Sequence, residues 1–345
     1  MMGRFLEGLL APGAKGHRGE RTATATLAAL IELVVLLAAF NFNALAAAVQ
    51  EAGLYLQYRF IQRALIVGVL VSLCAALLGV TLVLKRYSMI GDGLSHVGFG
   101  ALSIAASLGF VTAQSLPSFL PQGLREGIAG LCGAISASPL PVTLVVVIAL
   151  AFLILRLNEG SSIRGDAAIA LLSTGALAVG VLVTSLTSGM NVDVMNYMFG
   201  SILAMSSADV ILSVSLSAVV LVLFALFCNR IFAVTFDEPF ARATGTPAGL
   251  YNMLIAILTA VTIVIGMRMM GTMLISSLII FPALTSMRVF SRFRHVLISS
   301  AVISVVCFVI GIMLSCLYSI PAGAGIVLVN LCAFMIFSLV GRIRS

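Results

Sequence analysis

Charge is scarce in this sequence. Asp, Glu, Lys and Arg together supply 9% of its 345 residues while 61% are hydrophobic, whereas a soluble domain carries about 25% charged residues. That shortage excludes an ordinary soluble domain. The apolar runs extend over roughly 20 residues, the length a helix needs to cross hydrocarbon and too long for a barrel strand. Backbone polar groups find no partner in lipid, so such runs must be helical. The expected fold class is therefore all-α, a polytopic transmembrane helical bundle.

Other absences narrow the function. No CxxC pair occurs among Cys74, Cys132, Cys228, Cys307, Cys316 and Cys332, which are read as small packing residues rather than a disulfide or zinc framework. No GxxxxGK[ST] occurs either, so a phosphate-cradling loop is missing and any ATP hydrolysis falls to a partner chain. The chain is not expected to be an enzyme, and no permanently bound cofactor is implied. The first 23 residues are polar and basic and lead into an apolar run without a small-residue cleavage site, which argues against a removable signal peptide.

Apolar runs place spans at about 24 to 49, 60 to 84, 92 to 112, 140 to 156, 166 to 187, 208 to 229, 247 to 266, 272 to 287, 296 to 317 and 322 to 341. This gives nine to ten crossings, the doubtful one being the first, which Glu32, Asn41 and Asn43 interrupt. The segment 189 to 206 is too short and too polar at its start for a span and reads as re-entrant or as a short extra helix. The Pro- and Gly-containing stretch 113 to 139 reads as an external loop with a short surface helix. Residues 1–55 form an N-terminal extension and 56–345 the transmembrane domain.

The net charge of +7 does not point to nucleic acid, because the basic residues are dispersed among loops. With the N-terminus inside, fifteen Lys and Arg fall on the cytoplasmic side, against Arg59, Arg63, Arg125 and Arg268 outside. This is the asymmetry that cytoplasmic loops retain.

Two segments carry chemistry. In GDGLSH, Asp92 and His96 are four residues apart, so on a helix their side chains share a face. Asp92 as a mere N-cap and His96 as a packed histidine is the bland alternative. Against it stands the cost of an ionisable group at membrane depth, and His96 is the one histidine of three inside an apolar span. Imidazole with carboxylate suits Zn²⁺, Mn²⁺ or Fe²⁺. One copy offers two ligands, and a second chain would complete four, with Gly91, Gly93, Gly98 and Gly100 allowing close helix approach. In FDEPFARATG, Phe236 to Gly245, Asp237 can cap a short helix with Pro239 in its first turn, and Gly245 can stop it. It is either an ordinary loop or a docking helix for a cytoplasmic partner. Asp193 and Asp209 flank the re-entrant segment and are either solvated loop carboxylates, the more common case, or cation attractors at the entrance.

The ordered set KRYSMIGDGLSHVGFGAL, GDAAIALLSTGALAVGVL, NVDVMNYMFGSIL, FDEPFARATG, GMRMMGTMLISSLIIFPAL and LYSIPAGAGIVLV resembles the permease subunits of ABC transporters that import zinc, manganese or iron. Against that pattern the chain has about 55 additional N-terminal residues, an enlarged loop near 113 to 139 and FPALTSM where the family usually continues with PAA and small residues before Arg. The resemblance implies an inner-membrane permease dimer, or a pair of different permeases. It also implies a cytoplasmic ATPase pair docked on the loop holding Asp237, Glu238, Pro239, Ala241 and Gly245, and an extracytoplasmic metal-binding protein. The transported ion would sit on Asp92 and His96. The rival readings are a permease for iron chelates or vitamin B12-like cofactors, an ion-coupled secondary transporter, which would leave FDEPFARATG without a role, and an intramembrane enzyme using the acid and histidine.

Overall fold

The computed structural model describes residues 57–87, 89–108, 121–137, 139–160, 165–186 and 207–344, with the single positions 117, 200 and 205. All of them belong to the compact unit Glu51–Ser345. The extension 1–55 and most of the segment 189 to 206 lie outside the described residues.

Eleven helices occupy the described residues: α1 Arg59–Leu84, α2 Ile90–Ser107, α3 Gln122–Ala137, α4 Leu140–Gly160, α5 Gly165–Leu186, α6 Ser207–Phe236, α7 Glu238–Ala243, α8 Ala248–Met270, α9 Thr272–Met287, α10 Phe293–Tyr318 and α11 Ala322–Arg344. Six of these, α1, α5, α6, α8, α10 and α11, are long and apolar enough to cross a membrane, or seven spans result if the bent pair α3 and α4 counts as one. The expected nine to ten is not reached among the described residues, for two local reasons. Helix α9 has only 16 residues, and α2 carries Asp92, His96 and four glycines within 18. The stretch read as an external loop is helical over 16 residues in α3.

The bundle is organised around α1, which packs against α6, α8, α9 and α10. Lipid is as apolar as leucine, so helices associate through close packing and interhelical hydrogen bonds rather than through the hydrophobic effect. Both devices are present. Gly68 leaves the space that the Phe308 ring of α10 fills, and Gly79 lies under the backbone carbonyl of Ile279 on α9. The Ser304 hydroxyl of α10 donates to the Ser72 carbonyl of α1 at 3.0 Å, and Ser300 to that of Ala76 at 3.4 Å. Cys74 and Cys307 are buried and all six cysteines are free, in keeping with packing roles.

Helices α8 and α9 are separated by Gly271 alone, at φ 90°. Gly266 packs directly under Ile275, nine residues on, which a straight helix would hold about 13 Å away. The chain therefore folds back at Gly271. On the outside, Leu171, Leu186, Ile211 and Leu226 of α5 and α6 are exposed, the apolar exterior of a protein surrounded by lipid.

Charge marks the two ends. Lys85 at the end of α1 lies beside Glu238 of α7, and Phe293, between Arg292 and Arg294, packs on Phe236 just before α7, so these basic residues gather at the α7 end. With that end cytoplasmic, a cysteine replacing the exposed Thr244, in a background freed of native cysteines, stays unlabelled by an impermeant thiol reagent in intact cells. A cysteine replacing the exposed Gln122 is labelled. The reverse pattern would invert the orientation.

Candidate metal centre and coupling helix

The helix carrying GDGLSH begins two residues earlier than its apolar run, with Met89 at the N-cap position and no side-chain cap. Asp92 is therefore the third helical residue and not the cap, although its charge suits the positive end of the helix dipole. The Ser95 hydroxyl donates to the Asp92 carbonyl at 2.8 Å. His96 Nε2 stands 3.5 Å from Asp92 Oδ1, one turn along the same face, so the two side chains converge as their spacing implies. Ser276 of α9 lies beside the Asp92 carboxylate.

Depth follows from the packing of Gly91. A Cβ on Gly91 would meet the Ile279 side chain at 3.1 Å, and Ile279 is the eighth of the 16 residues of α9. Gly79 of α1 packs on the same Ile279, so the pair sits inside the bundle, about one to two helical turns in from the end of α1 at Lys85. The glycines expected to line a contact with a second chain are instead used within this one. Gly93 packs under Ile169, Gly98 under Met267 and Gly100 under the carbonyl of Ala176, drawing α2 against α5 and α8. Their consequence is that Asp92 and His96 point the other way. The Asp92 side chain is 44% exposed and His96 23%, and Met89, one turn before Asp92, is half exposed. Among the described residues no group of three or more His, Cys, Asp or Glu gathers in a metal-binding arrangement. Among the described residues, the two candidate ligands stand on a partly open face.

At the α7 end, Asp237 caps the short helix by accepting from the Phe240 amide at 2.9 Å, and Pro239 lies in its first turn. Gly245 ends it at φ 79°, a conformation that favours glycine. Ala241 is buried against Val234 and Ala248, whereas Phe236 and Phe240 are exposed. Glu238 faces inward rather than out. Its Oε1 accepts from Arg242 at 2.6 and 3.2 Å and its Oε2 from Asn252 Nδ2 at 3.1 Å. Partial burial raises the Glu238 pKa, but the bonds from Arg242 and Asn252, with the charges of Lys85 and Arg242, outweigh it and hold the carboxyl below its ordinary value. A depressed carboxylate contributes stability that is full above its unfolded pKa and is lost as pH falls through the lower folded value.

Of the entrance candidates, Asp193 lies outside the described residues. Asp209 begins α6 and pairs with Arg268 of α8 at 3.1 Å, so its charge is partly balanced rather than free to attract a cation. Sequence reasoning missed Arg268, Lys85 and Asn252. Their partners lie on other helices, and no local pattern marks them.

Residues 57–341 match the ABC 3 transport family. The manganese transport system membrane protein MntC of Halalkalibacterium halodurans is 26% identical over 79% of this chain and 85% of its own. The manganese import system permease protein ScaB of Streptococcus gordonii is 26% identical over 81% and 90%. A probable iron transport system membrane protein of Haemophilus influenzae is 26% identical over 84% and 96%. Among solved structures, PsaBC from Streptococcus pneumoniae in complex with Fab superposes with a TM-score of 0.66 at 25% identity, covering 84% of this chain and 95% of that one. The chain belongs to the ABC 3 transport family and is a multi-pass membrane protein.

The close seating of α2 makes a direct prediction. A side chain on Gly100 would stand 2.5 Å from the Ala176 carbonyl oxygen, so Gly100→Val forces α2 from α5 and destabilises by roughly 1–3 kcal/mol. Gly127→Val on α3, where nothing lies within 4 Å, is close to neutral. Thermal unfolding in detergent followed by size-exclusion chromatography distinguishes them; equal melting temperatures would contradict the packing.

Proposed function

We propose that this chain is the permease subunit of an ATP-driven importer of a divalent metal ion, with Asp92 and His96 as the ligands the ion meets on its way through the bundle. The observation that carries this reading is an acid and an imidazole 3.5 Å apart, inside the helical bundle, on a face the chain's described residues leave open. A carboxylate there is costly unless it is paired, reached by water or binding a cation. Two ligands are too few for a first-row metal, which commonly takes four or more. A second permease chain, identical or different, facing the open stripe would supply the other two.

The donor set is oxygen and nitrogen, and Mn²⁺ and Fe²⁺ accept it readily; relatives carry names for manganese and for iron. No thiolate joins the proposed pair, so it binds without the grip that cysteine gives a soft metal, and an ion that must be released needs that weakness. Binding requires the imidazole neutral and the carboxylate ionised, so the ion displaces a proton that His96 would otherwise hold. Helix α7, with Phe236 and Phe240 exposed at its side, is the surface on which a cytoplasmic ATPase would seat. An extracytoplasmic metal-binding protein would deliver the ion at the opposite end.

The test is uptake of radioactive manganese or iron into proteoliposomes holding the permease with its ATPase. Asp92→Ala and His96→Ala each reduce ATP-dependent uptake by at least about a hundredfold, the scale on which loss of a ligand or its support acts, while the complex still assembles. Uptake that survives both substitutions would return Asp92 and His96 to a packing role.

A further inference from the structure

The turn between α1 and α2 is fastened to α7 by a polar network that neither the metal site nor the docking surface requires. Lys85, which ends α1, donates from Nζ to Oδ1 of Asn252 on α8. The same Nζ lies 3.9 Å from Glu238 Oε2, to which Asn252 Nδ2 also donates. Three elements therefore meet at one carboxylate. Asn252 is 8% exposed and the Lys85 side chain 12%. An ammonium so nearly withdrawn from water costs several kcal/mol unless paired, and apolar residues would have packed α1 on α8 without that cost.

The turn itself is closed tightly. The Arg86 amide bonds to the Val83 carbonyl and the Tyr87 amide to that of Leu82, the paired bonds of a Schellman cap. Arg86 takes the left-handed conformation at φ 62°, where glycine is usual and another residue costs of order 1 kcal/mol. The Ile90 amide then bonds back to the Tyr87 carbonyl, and Ile90 opens the helix on which Asp92 follows two residues later. A small cavity lined by Leu82, Lys85, Tyr87, Ile90, Asn252 and Ile255 lies between the network and that helix start.

We infer that Lys85, Asn252 and Glu238 form a positioning linkage through which displacement of α7 is passed to the Asp92 and His96 helix. The inference deepens the proposed function and rests on its premise that α7 seats on an ATPase. When α7 shifts, Glu238 moves with it and draws on Lys85 and Asn252 together. Lys85 is joined to Ile90 by a hydrogen-bonded turn, so the movement reaches the start of α2 with little slack. An arrangement of discrete hydrogen bonds has distinct made and broken states, which is what a two-state transmission needs. Glu238 is thus a residue of the linkage, its outward neighbours Phe236 and Phe240 being the ones left for docking.

The test measures metal ions delivered per ATP hydrolysed by the complete transporter in proteoliposomes, with radioactive manganese as the probe. Lys85→Met retains the ATPase subunits and hydrolyses ATP, but its ion-to-ATP ratio falls about tenfold, the size of a typical coupling between two sites. Lys85→Arg, whose guanidinium reaches the same two oxygens, recovers most of the ratio. Should Lys85→Met fail to reach the membrane, Asn252→Asp keeps the shape, removes the donor to Glu238 and lowers the ratio likewise. A wild-type ratio in Lys85→Met or Asn252→Asp would overturn the linkage. So would loss of the ATPase from either variant, or Lys85→Arg being as damaging as Lys85→Met. Absence of ATP-driven uptake in the unsubstituted complex would instead overturn the permease reading, and the linkage with it.

Discussion

A carboxylate beside an imidazole inside a helical bundle surrounded by lipid is the constraint on which the rest of this molecule depends. Each group is tolerated there only in company. The chain supplies part of that company: Asp92 has His96 one turn away at 3.5 Å and the Ser276 side chain of α9 at its side. Among the described residues no further metal-binding side chain joins them, and α2 uses its glycines to press its other faces against α5, α8 and α9. Tight packing on three neighbours is what turns the two side chains outward. On the proposed reading, a mixed oxygen and nitrogen pair on that face, repeated across a permease pair, makes a site that an ion can enter and also leave.

Transport also requires that this site respond to events at the cytoplasmic end. The fold provides a short route between them. Helix α7 is a single capped turn and a half, fixed by Asp237, Pro239 and Gly245 and pinned through buried Ala241. Its acid, Glu238, reaches across to the end of α1, and α1 is the element against which α6, α8, α9 and α10 all pack. Serine hydroxyls on α10 bind carbonyls of α1, a bond type averaging only about 0.6 kcal/mol in membranes. Contacts of that strength hold helices in register while still permitting them to move.

Much of this was legible in the sequence. Apolar runs gave the helices because hydrocarbon allows little else, and the caps of α7 follow from Asp237, Pro239 and Gly245 acting within a few residues of themselves. The i and i+4 spacing of Asp92 and His96 was sufficient to bring them together. What could not be read was anything that depends on helix pairing. Lys85 and Asn252 are 167 residues apart, and Asp209 with Arg268 joins two helices at the far end, so each charge looked solvated by itself. The glycines of α2, expected to let a second chain approach, admit neighbours that lie within this one. The expected span count is not reached among the described residues where polarity or shortness interrupts a run, in α2, which carries Asp92 and His96, and in α9, which the turn at Gly271 shortens.

The most direct measurement is the number of metal ions held by the purified transporter, counted by equilibrium dialysis against manganese. One ion for each pair of permease chains is expected, with His96 nitrogen detected as a ligand by electron paramagnetic resonance and the ion lost in His96→Ala. Binding of one ion per single chain, or an unchanged count in Asp92→Ala and His96→Ala, would contradict a shared site built from these two residues.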